Sequence, residues 1–382
     1  MRETFAITEF ETTTKFVELF KDEPLKFDNG EKLSNIKVAY QTYGILNDER
    51  TNAVLICHAL TGNAHAAGII GDAEIGISKD NEFLSKYNKM YLGKPGWWNQ
   101  MIGPGKAFDT DKYFVICSNV LGSCYGTAGP TDINHSTGEK YNQTFPAVTV
   151  RDMVKVQKKL IEYLNINRMK AVSGGSLGGM QALEWAIMYG DIVDSIIPIA
   201  ASAAHSAWAM GINRASRLAI KNDADFRNGN YKNQPYKGLS LARQIAMQSY
   251  RTYFSFEEKF GRRKVSGNKN ESQFEIESYL EYQGSKLVDR FDANTYLYLS
   301  EALDSHDITL GRGDTADVLG EIKQRALWIG INTDVIYPKE EQVKIAGMIP
   351  NAEYAEITSP HGHDAFLIEF DQLGKLVSRF LS

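Results

Sequence analysis

The sequence predicts an α/β fold with a mostly parallel, doubly wound sheet and an inserted helical lid. Two observations support this prediction. Short runs that are apolar on both alternations, typical of strands buried on both faces of a parallel sheet, alternate with helical patterns along the chain. The alternation stops between residues 202 and 311, where only helical patterns follow. We therefore expect a core formed by residues 1–201 and 312–382, and a lid formed by residues 202–311.

The elements of the core follow one another as strand, helix and strand. The predicted strands lie at residues 52–59, 113–120, 169–175, 195–201 and 326–332. In the helical segment 149–165, apolar residues recur at spacings of three and four, and Thr149 with Asp152 resembles a capping box. Strands joined by helices in this way form a parallel sheet with helices on its faces. Within the lid, helices are predicted in the stretches that start at Leu239 and Ser285.

The composition excludes several classes of protein. The 382 residues include 42 Lys and Arg against 47 Asp and Glu, so no basic excess is available to neutralise a nucleic acid. No apolar run is long enough to span a bilayer, and the N-terminus lacks the apolar segment of a secretory signal. Of the three cysteines, Cys57 and Cys117 lie in apolar runs and are predicted to be buried free thiols. We expect a cytoplasmic protein with neither a membrane nor a nucleic acid as partner.

The most specific local signal is the run GGSLG at residues 174–178, which follows a predicted strand and opens a helical run. A G-x-S-x-G pattern in this context is typical of a nucleophile elbow, where a sharp turn exposes the serine hydroxyl above the sheet. The flanking residues must be small because strand and helix close on each other there. We predict that Ser176 is a nucleophile and that the Leu177 amide, at a helix N-terminus, is an oxyanion donor. The alternative is a glycine-rich turn capped by serine.

A serine nucleophile needs a base, and the base needs an orienting acid. Asp334 follows the predicted strand at 326–332, and His361 and His363 follow the apolar stretch at 354–358. The order serine, acid, histidine is that of α/β-hydrolases. We expect His363 to be the base, because the helical run after it would hold it rigidly, with His361 as the alternative. The two histidines could instead bind a metal, but no further ligand cluster lies near them in sequence, so we expect no metal.

A second oxyanion donor is expected from the loop after an early strand. Residues 58–62, with the sequence HALTG, directly follow the first predicted strand and fit this role. An ordinary turn from a strand into a loop would have the same sequence pattern. The glycine-rich stretch from Ile102 and the one from Leu121 lack the pattern of a phosphate-binding loop.

Longer motifs surround these residues and continue into the lid. In the core they are YQTYG near Tyr40, CHALTGNAH near His58, GWWNQMIGPGKAFDTDKYFVICSNVLG from Gly96, GGSLGGMQALEWA and PHGHDAFL. In the lid they are LARQIAMQSYR, ESYLEYQGSKLVDRFDANTYLYL and the ALDSHD that begins at Ala302. With these motifs the chain resembles, over nearly its whole length, the homoserine O-acetyltransferase family of the α/β-hydrolase superfamily. The lid motifs are the specific ones, because G-x-S-x-G alone indicates only the superfamily.

The resemblance implies both a reaction and the residues for it. The implied roles are a catalytic triad at Ser176, Asp334 and His363, oxyanion amides at Leu60 and Leu177, and homoserine contacts at Arg243, Tyr250 and Asp364. An arginine can hold the carboxylate of an amino acid, and a carboxylate can receive its ammonium group. The implied reaction transfers acetyl from acetyl-CoA, a co-substrate rather than a bound cofactor, to the hydroxyl of L-homoserine through an acyl-serine. Family members are commonly homodimers through the lid.

One stretch departs from the family, and three other functions remain open. The run GSCYGTAGP from Gly122 replaces a pattern that more often has GG before the cysteine and ST before GP, and we expect this loop near the entrance to the site. Succinyl-CoA could be the donor instead of acetyl-CoA. A plain esterase on this fold would not need the set Arg243, Tyr250 and Asp364. A binding protein without activity would normally have lost the serine or the histidine.

Overall fold

An eight-stranded sheet lies at the centre of the molecule in a computed structural model that describes residues 10–265 and 273–382. In chain order its strands are β1 Lys15–Leu19, β2 Ile36–Tyr43, β3 Ala53–Cys57, β4 Phe114–Ser118, β5 Met169–Gly175, β6 Ser195–Ile199, β7 Arg325–Ile331 and β8 Ala352–Ile357. Across the sheet the order is β1-β2-β4-β3-β5-β6-β7-β8. Every neighbouring pair from β4 to β8 is parallel, whereas β2 runs antiparallel to both β1 and β4. The predicted doubly wound, mostly parallel sheet is therefore confirmed.

Helices connect the strands and cover the sheet. In the described residues they are α1 Asp72–Ser78, α2 Glu82–Met90, α3 Val150–Tyr163, α4 Leu177–Tyr189, α5 Ala207–Lys221, α6 Tyr236–Tyr250, α7 Tyr253–Lys259, α8 Glu275–Val288, α9 Ala293–Asp304, α10 Thr315–Gly320, α11 Lys339–Met348 and α12 Phe370–Leu381. Helix α3 begins with the predicted capping box. The Thr149 amide donates to the Asp152 carboxylate at 3.1 Å, and the Asp152 amide donates to the Thr149 hydroxyl at 3.2 Å.

The central strands contribute side chains to two separate apolar cores, one on each face of the sheet. In β3 every residue is buried; Leu55 points into one core, and Val54 and Ile56 point into the other. Helices α3 and α4 cover the first core, and α12 covers the second. Each buried side chain of this size contributes about 1.5–3 kcal/mol to the free energy of unfolding. The apolar character of both alternations, from which the strands were predicted, is thus the direct result of burial on two faces. The thiols of Cys57 and Cys117 are free and buried, as predicted.

The helices α5 to α9 lie between β6 and α10 and form the region predicted as the lid. Helix α6 packs against both α5 and α8. The two ends of the region are joined by backbone hydrogen bonds, from the Ile308 amide to the Ala203 carbonyl and from the His205 amide to the His306 carbonyl, both at 3.0 Å. Among the described residues of 202–311 no strand of the sheet is present. The boundaries of the lid stay a prediction.

The first two strands of the sheet, the edge strand β1 and its neighbour β2, were not predicted. Strand β2 reads IKVAYQTY, and its polar Lys37, Gln41 and Thr42 interrupt the continuous apolar run that marks the other strands. Gln41 is nevertheless buried, because Thr12 and Tyr43 donate hydrogen bonds to its side-chain oxygen at 3.2 and 2.8 Å. None of the helices in the described part of the chain is both long enough and apolar enough to cross a membrane.

Candidate active site

Ser176 occupies the turn between β5 and α4, where the backbone is strained. Its φ and ψ angles are 58° and -125°, a combination that residues other than glycine rarely adopt. The turn is so tight that a Cβ atom at Gly174 or Gly178 would clash with the Cys57 carbonyl. The Ser176 amide donates to the Ile199 carbonyl at 2.9 Å and ties the turn to β6. The geometry is that of the elbow expected from the motif.

His363 and Asp334 form a buried pair at the same end of the sheet. The Nδ1 atom of His363 lies 2.7 Å from Asp334 Oδ2. Because an ionised carboxylate only accepts, Nδ1 carries the proton, and Nε2 is left as the acceptor that a general base needs. The other oxygen of Asp334 accepts from the amides of Ile336 and Tyr337 at 2.8 and 3.1 Å. These bonds hold the carboxylate, and through it the ring, in one orientation.

The charge near His363 opposes the effect of its burial. Burial alone would lower the pKa of the imidazole, but the charge of Asp334 and the hydrogen bond to it outweigh burial, with a smaller contribution from Asp364. The pKa of His363 is therefore raised above its ordinary value. A base of higher pKa binds the serine proton more strongly, but it is neutral only at higher pH.

Ser176, His363, Leu60 and Tyr250 line one cavity with about 390 Å³ of empty space. Helices α5, α6 and α9 of the lid region form the wall opposite the serine. None of the described residues that line this cavity is a lysine or an arginine. Leu177 is the first residue of α4 and is buried, and its amide has no acceptor within the helix because the first amides of a helix lack one. The cavity thus combines a nucleophile, a base and an available amide, and it is covered by the lid.

His58 holds the loop that contains Leu60. Its Nε2 atom accepts from the Val120 amide at 3.0 Å, so Nδ1 carries the proton and donates to the Ala59 carbonyl at 2.8 Å. Burial lowers the pKa of His58 to about 4, which keeps the ring neutral in this arrangement. The loop then turns tightly, with the Gly62 amide donating to the Ala59 carbonyl at 2.9 Å. The loop predicted to supply the second oxyanion donor lies beside Ser176, since Leu60 and Ser176 line the same cavity. The role of His58 in holding this loop was not identified from sequence.

Arg243 lies beside a second cavity, of about 800 Å³, and not in the wall of the first. Its guanidinium carbon is 5.3 Å from the centre of the Tyr250 ring, and the Tyr250 ring centre is 5.9 Å from that of His363. Ala59, Thr61 and Gly62 line the second cavity, whereas Leu60 of the same loop lines the first. Tyr250 therefore has both Arg243 and the candidate base as neighbours.

Neither Asp364 nor His361 lines the Ser176 cavity. Asp364 forms an ion pair with Arg251, with 3.0 Å between Oδ2 and Nε, although the two groups are not aligned as a hydrogen bond. His361 lines a different cavity, together with Arg251, and its Nδ1 has no hydrogen-bond partner among the described residues. Of the two candidate histidines, the one beside Asp334 is His363.

A second histidine–carboxylate pair, not anticipated from the sequence, faces the Ser176 cavity from the lid side. His205 Nδ1 lies 3.2 Å from Asp304, whose carboxylate also receives Arg217 at 2.6 Å. The Nε2 atom of His205 lies 3.2 Å from the hydroxyl of Tyr337, which also contacts the Ser176 side chain. His205 and Asp304 are too far apart in the chain to form one sequence motif. The only part of the pair that lies in a motif noted from the sequence is Asp304, in the ALDSHD stretch.

Comparisons with known proteins identify the fold and the family of the chain. Residues 52–370 match the family model described as the alpha/beta hydrolase fold. A homoserine O-acetyltransferase of Moorella thermoacetica is 46% identical over 97% of this chain and 96% of its own. The crystal structure of homoserine O-acetyltransferase from Bacillus anthracis superposes with a TM-score of 0.86 at 29% identity, covering 97% of this chain and 98% of that one. The crystal structure of esterase E22 superposes with a TM-score of 0.84 at 28% identity over 97% and 100%. The chain therefore belongs to the homoserine O-acetyltransferase family of the α/β-hydrolase fold.

Proposed function

We propose that this chain acetylates the hydroxyl of L-homoserine with acetyl-CoA as donor. The observation that carries the proposal is the buried pair of His363 and Asp334 beside Ser176, in a cavity covered by lid helices, in a chain of this family. The pair supplies an oriented base, and the elbow supplies a strained and accessible nucleophile. A lidded cavity supports transfer over hydrolysis, because an acyl-serine kept from water survives until the acceptor arrives.

The reaction proceeds in two half-reactions. In the first, His363 accepts the proton of Ser176 while the serine oxygen attacks the thioester carbon, and the Leu60 and Leu177 amides stabilise the oxyanion. The bond to sulfur breaks, and the CoA thiolate leaves with the proton from His363. In the second, the homoserine hydroxyl gives its proton to His363 and attacks the acyl-serine. O-acetyl-L-homoserine leaves, and the proton returns to Ser176.

The lining of the Ser176 cavity supports acetyl over succinyl as the transferred group. A succinyl group carries a terminal carboxylate, and burying an ionised carboxylate without a cation is costly. No lysine or arginine lines this cavity in the described part of the chain, and its volume of about 390 Å³ is bounded largely by apolar side chains such as Ile212 and Leu303. An uncharged acetyl group meets no such cost.

The test is incubation of the purified protein with L-homoserine and either acetyl-CoA or succinyl-CoA, following free thiol and the mass of the product. The proposal predicts thiol release with acetyl-CoA, dependent on homoserine and matched by an equal amount of O-acetylhomoserine. Thiol release with succinyl-CoA at an equal or higher rate would contradict acetyl-CoA as the preferred donor. Thiol release without formation of acylated homoserine would contradict the proposed transferase function.

A hydrolase is the second candidate, and the structural likeness to esterase E22 favours it. The two functions share the first half-reaction and differ in what attacks the acyl-serine. The ratio of O-acetylhomoserine to free acetate, measured as homoserine is increased, separates them. A transferase converts almost all of the acyl-enzyme to ester at high homoserine, whereas an esterase produces acetate whatever the concentration of homoserine.

We also propose that the protein is a cytoplasmic homodimer that associates through the lid. Large side chains on lid helices are well over half exposed, among them Trp208 on α5 and Tyr253 and Phe254 on α7. Exposed aromatic groups of this kind are enriched in protein interfaces. Light scattering of the purified protein tests the dimer, and Trp208→Ser with Phe254→Ser is expected to shift the mass to that of one chain. An unchanged dimer would move the interface elsewhere.

A further inference from the structure

The second cavity, on the Arg243 side of the Leu60 loop, carries positive charge and no described acidic side chain. Two arginines line it, Arg243 and Arg290, together with aromatic rings that include Tyr87, Tyr91 and Trp97. Neither arginine forms an ion pair with any carboxylate among the described residues. Two guanidinium groups beside one cavity repel each other unless an anion lies between them. The site is therefore electrostatically incomplete without a negative group.

Of the two arginines, Arg290 gives the stronger evidence for a bound anion. Its Nη1 donates to the Thr61 carbonyl at 3.1 Å and to the Tyr125 hydroxyl at 2.5 Å, while its buried Nε has no partner among the residues that the structure describes. The electrostatic neighbours of Arg290 are Tyr87, Tyr91 and Tyr125, and its guanidinium carbon lies 5.8 Å from the centre of the Tyr87 ring. A buried cation that has neutral neighbours and an unused donor keeps a large desolvation cost that only an anionic ligand removes.

We propose that Arg290, together with Arg243, forms a two-guanidinium subsite for the α-carboxylate of the amino-acid acceptor. The inference rests on the proposed function and adds to it Arg290, a residue of the RFDAN stretch. Guanidinium groups bind carboxylates through paired, charge-assisted hydrogen bonds. Two of them would place the carboxylate in one orientation and thereby aim the acceptor hydroxyl at the acyl-serine.

The position of the subsite favours the carboxylate of the acceptor over the phosphates of the donor. Arg290 contacts the carbonyl of Thr61, the residue after the candidate oxyanion donor Leu60. The ring of Tyr250 lies near both Arg243 and His363, with its centre 5.3 Å from the Arg243 guanidinium carbon and 5.9 Å from the centre of the His363 ring. The carboxylate of homoserine is only a few bonds from its hydroxyl, whereas the phosphates of CoA lie at the far end of the pantetheine arm. An anion this close to the reacting centre fits the smaller substrate.

The loop that departs from the family pattern contributes to the subsite. Tyr125, in the run GSCYGTAGP, accepts the hydrogen bond from Arg290, and burial raises the pKa of its hydroxyl. Tyr125 therefore stays neutral and leaves the charge of Arg290 uncompensated. The run was expected near the entrance to the site, and Tyr125 connects it to the second cavity through Arg290 and through the Tyr87 ring, whose centre lies 5.3 Å from that of Tyr125.

The experiment compares Arg290→Met with the wild type on two acceptors that differ only in the carboxylate, L-homoserine and 3-aminopropan-1-ol. We expect the ratio of kcat/KM for homoserine to that for the amino alcohol to fall about ten- to a hundredfold. The burst of CoA release with acetyl-CoA alone is expected to stay close to the wild-type rate. Arg290→Lys retains the charge and should recover part of the ratio. Lys286→Met is the matched control, because Lys286 is a cation near the end of helix α8, shortly before Arg290, and it lies over Tyr91 but does not line the cavity.

Three outcomes would overturn the inference. An equal loss for both acceptors, or a slowed burst, would mean that Arg290 only supports the oxyanion loop through Thr61. A rise in KM for acetyl-CoA alone would show that Arg290 binds a phosphate of the donor and not the carboxylate of the acceptor. An unchanged ratio would show that the carboxylate binds elsewhere. If Arg290→Met does not fold, Arg290→Lys replaces it, with a smaller fall in the ratio expected from the loss of the paired donors. Failure of the wild type to acetylate homoserine would remove the proposed function itself, which is a separate result.

Discussion

At the scale of single residues, identical side chains have different chemistry because their neighbours differ. His363 is held by the Asp334 carboxylate and faces the cavity of Ser176. His361, two positions earlier, lines another cavity, and its Nδ1 finds no partner within the described part of the chain. Asp364 is paired with Arg251. A carboxylate that already has one cation can still accept an ammonium group through its second oxygen, so the predicted contact between Asp364 and the acceptor is compatible with this ion pair.

The first prediction concerns the nucleophile. Ser176→Ala is expected to lower turnover by roughly 10⁴-fold or more, as in other serine triads. In the wild type, acetyl-CoA without homoserine should label Ser176, and peptide mass spectrometry detects the added acetyl group. A variant that keeps more than a few per cent of activity would show that another residue carries the acyl group.

The second prediction ranks the two histidines. His363→Ala should be as damaging as the serine change, and Asp334→Asn should be severe because it removes the acceptor that sets the tautomer of the ring. His361→Ala is the matched control, and its effect should be mild. Steady-state kcat/KM of the three variants measures the ranking. The opposite order of the two histidine variants would reassign the base.

At the scale of elements, the site depends on how closely β3, β5 and α4 approach one another. Gly174 and Gly178 leave room for the Cys57 carbonyl of β3 between the strand and the helix of the elbow. The loop after β3, held by His58, then lies beside Ser176. The close packing of these elements therefore sets both the strain at the serine and the position of the candidate oxyanion donor.

The third prediction tests this packing. Gly178→Ala places a methyl group against the Cys57 carbonyl and should cost about 1–3 kcal/mol or more of unfolding free energy, with a loss of kcat as the elbow opens. Gly347→Ala in α11 is the control, because its Cβ meets no atom within 4 Å, and it should stabilise by about 0.5–1 kcal/mol. Denaturant unfolding of both variants gives the comparison. Equal stability of the two would contradict the tight elbow.

At the scale of the whole molecule, the charges of several elements act together on one ring. The active form of His363 is neutral, and the charges of Asp334 and Asp364 raise its pKa above the ordinary value. Activity should therefore be lost as the pH falls through this raised pKa, and the acid limb of kcat/KM should lie above the pH expected for a free histidine.

The fourth prediction follows from the sign of this effect. Asp364→Asn removes a charge that raises the pKa of His363, so the acid limb should move to lower pH while the shape of the profile is kept. Glu353→Gln is the control, because Glu353 pairs at 3.5 Å with Arg379 on the surface and does not act on His363. The profile of kcat/KM against pH measures both. A shift to higher pH for Asp364→Asn would contradict the electrostatic account.

The amino-acid sequence by itself determined the fold class, the elbow and the order of the triad residues. These features depend on local or periodic sequence patterns. A strand that is buried on both faces requires a continuous apolar run, and the tight turn at Ser176 requires glycines on either side of the serine. The family followed from long motifs in the lid. The strands β1 and β2 were not predicted because polar residues interrupt the apolar pattern of β2, and the buried amide of Gln41 is satisfied in part by Thr12 and Thr14, which are distant in the chain.

The tertiary structure alone decided which side chains share a cavity. Only packing brings His205 of one lid end to Asp304 of the other, or sets Arg290, shortly after the end of α8, against the loop after β3. The tertiary structure also distinguished His363 from His361, which are two positions apart in the sequence but line different cavities. The physical reason is that side-chain contacts depend on the approach of elements far apart in the chain. Hydrophobic periodicity places an element in a layer, but it does not set the distance between two polar groups on different elements.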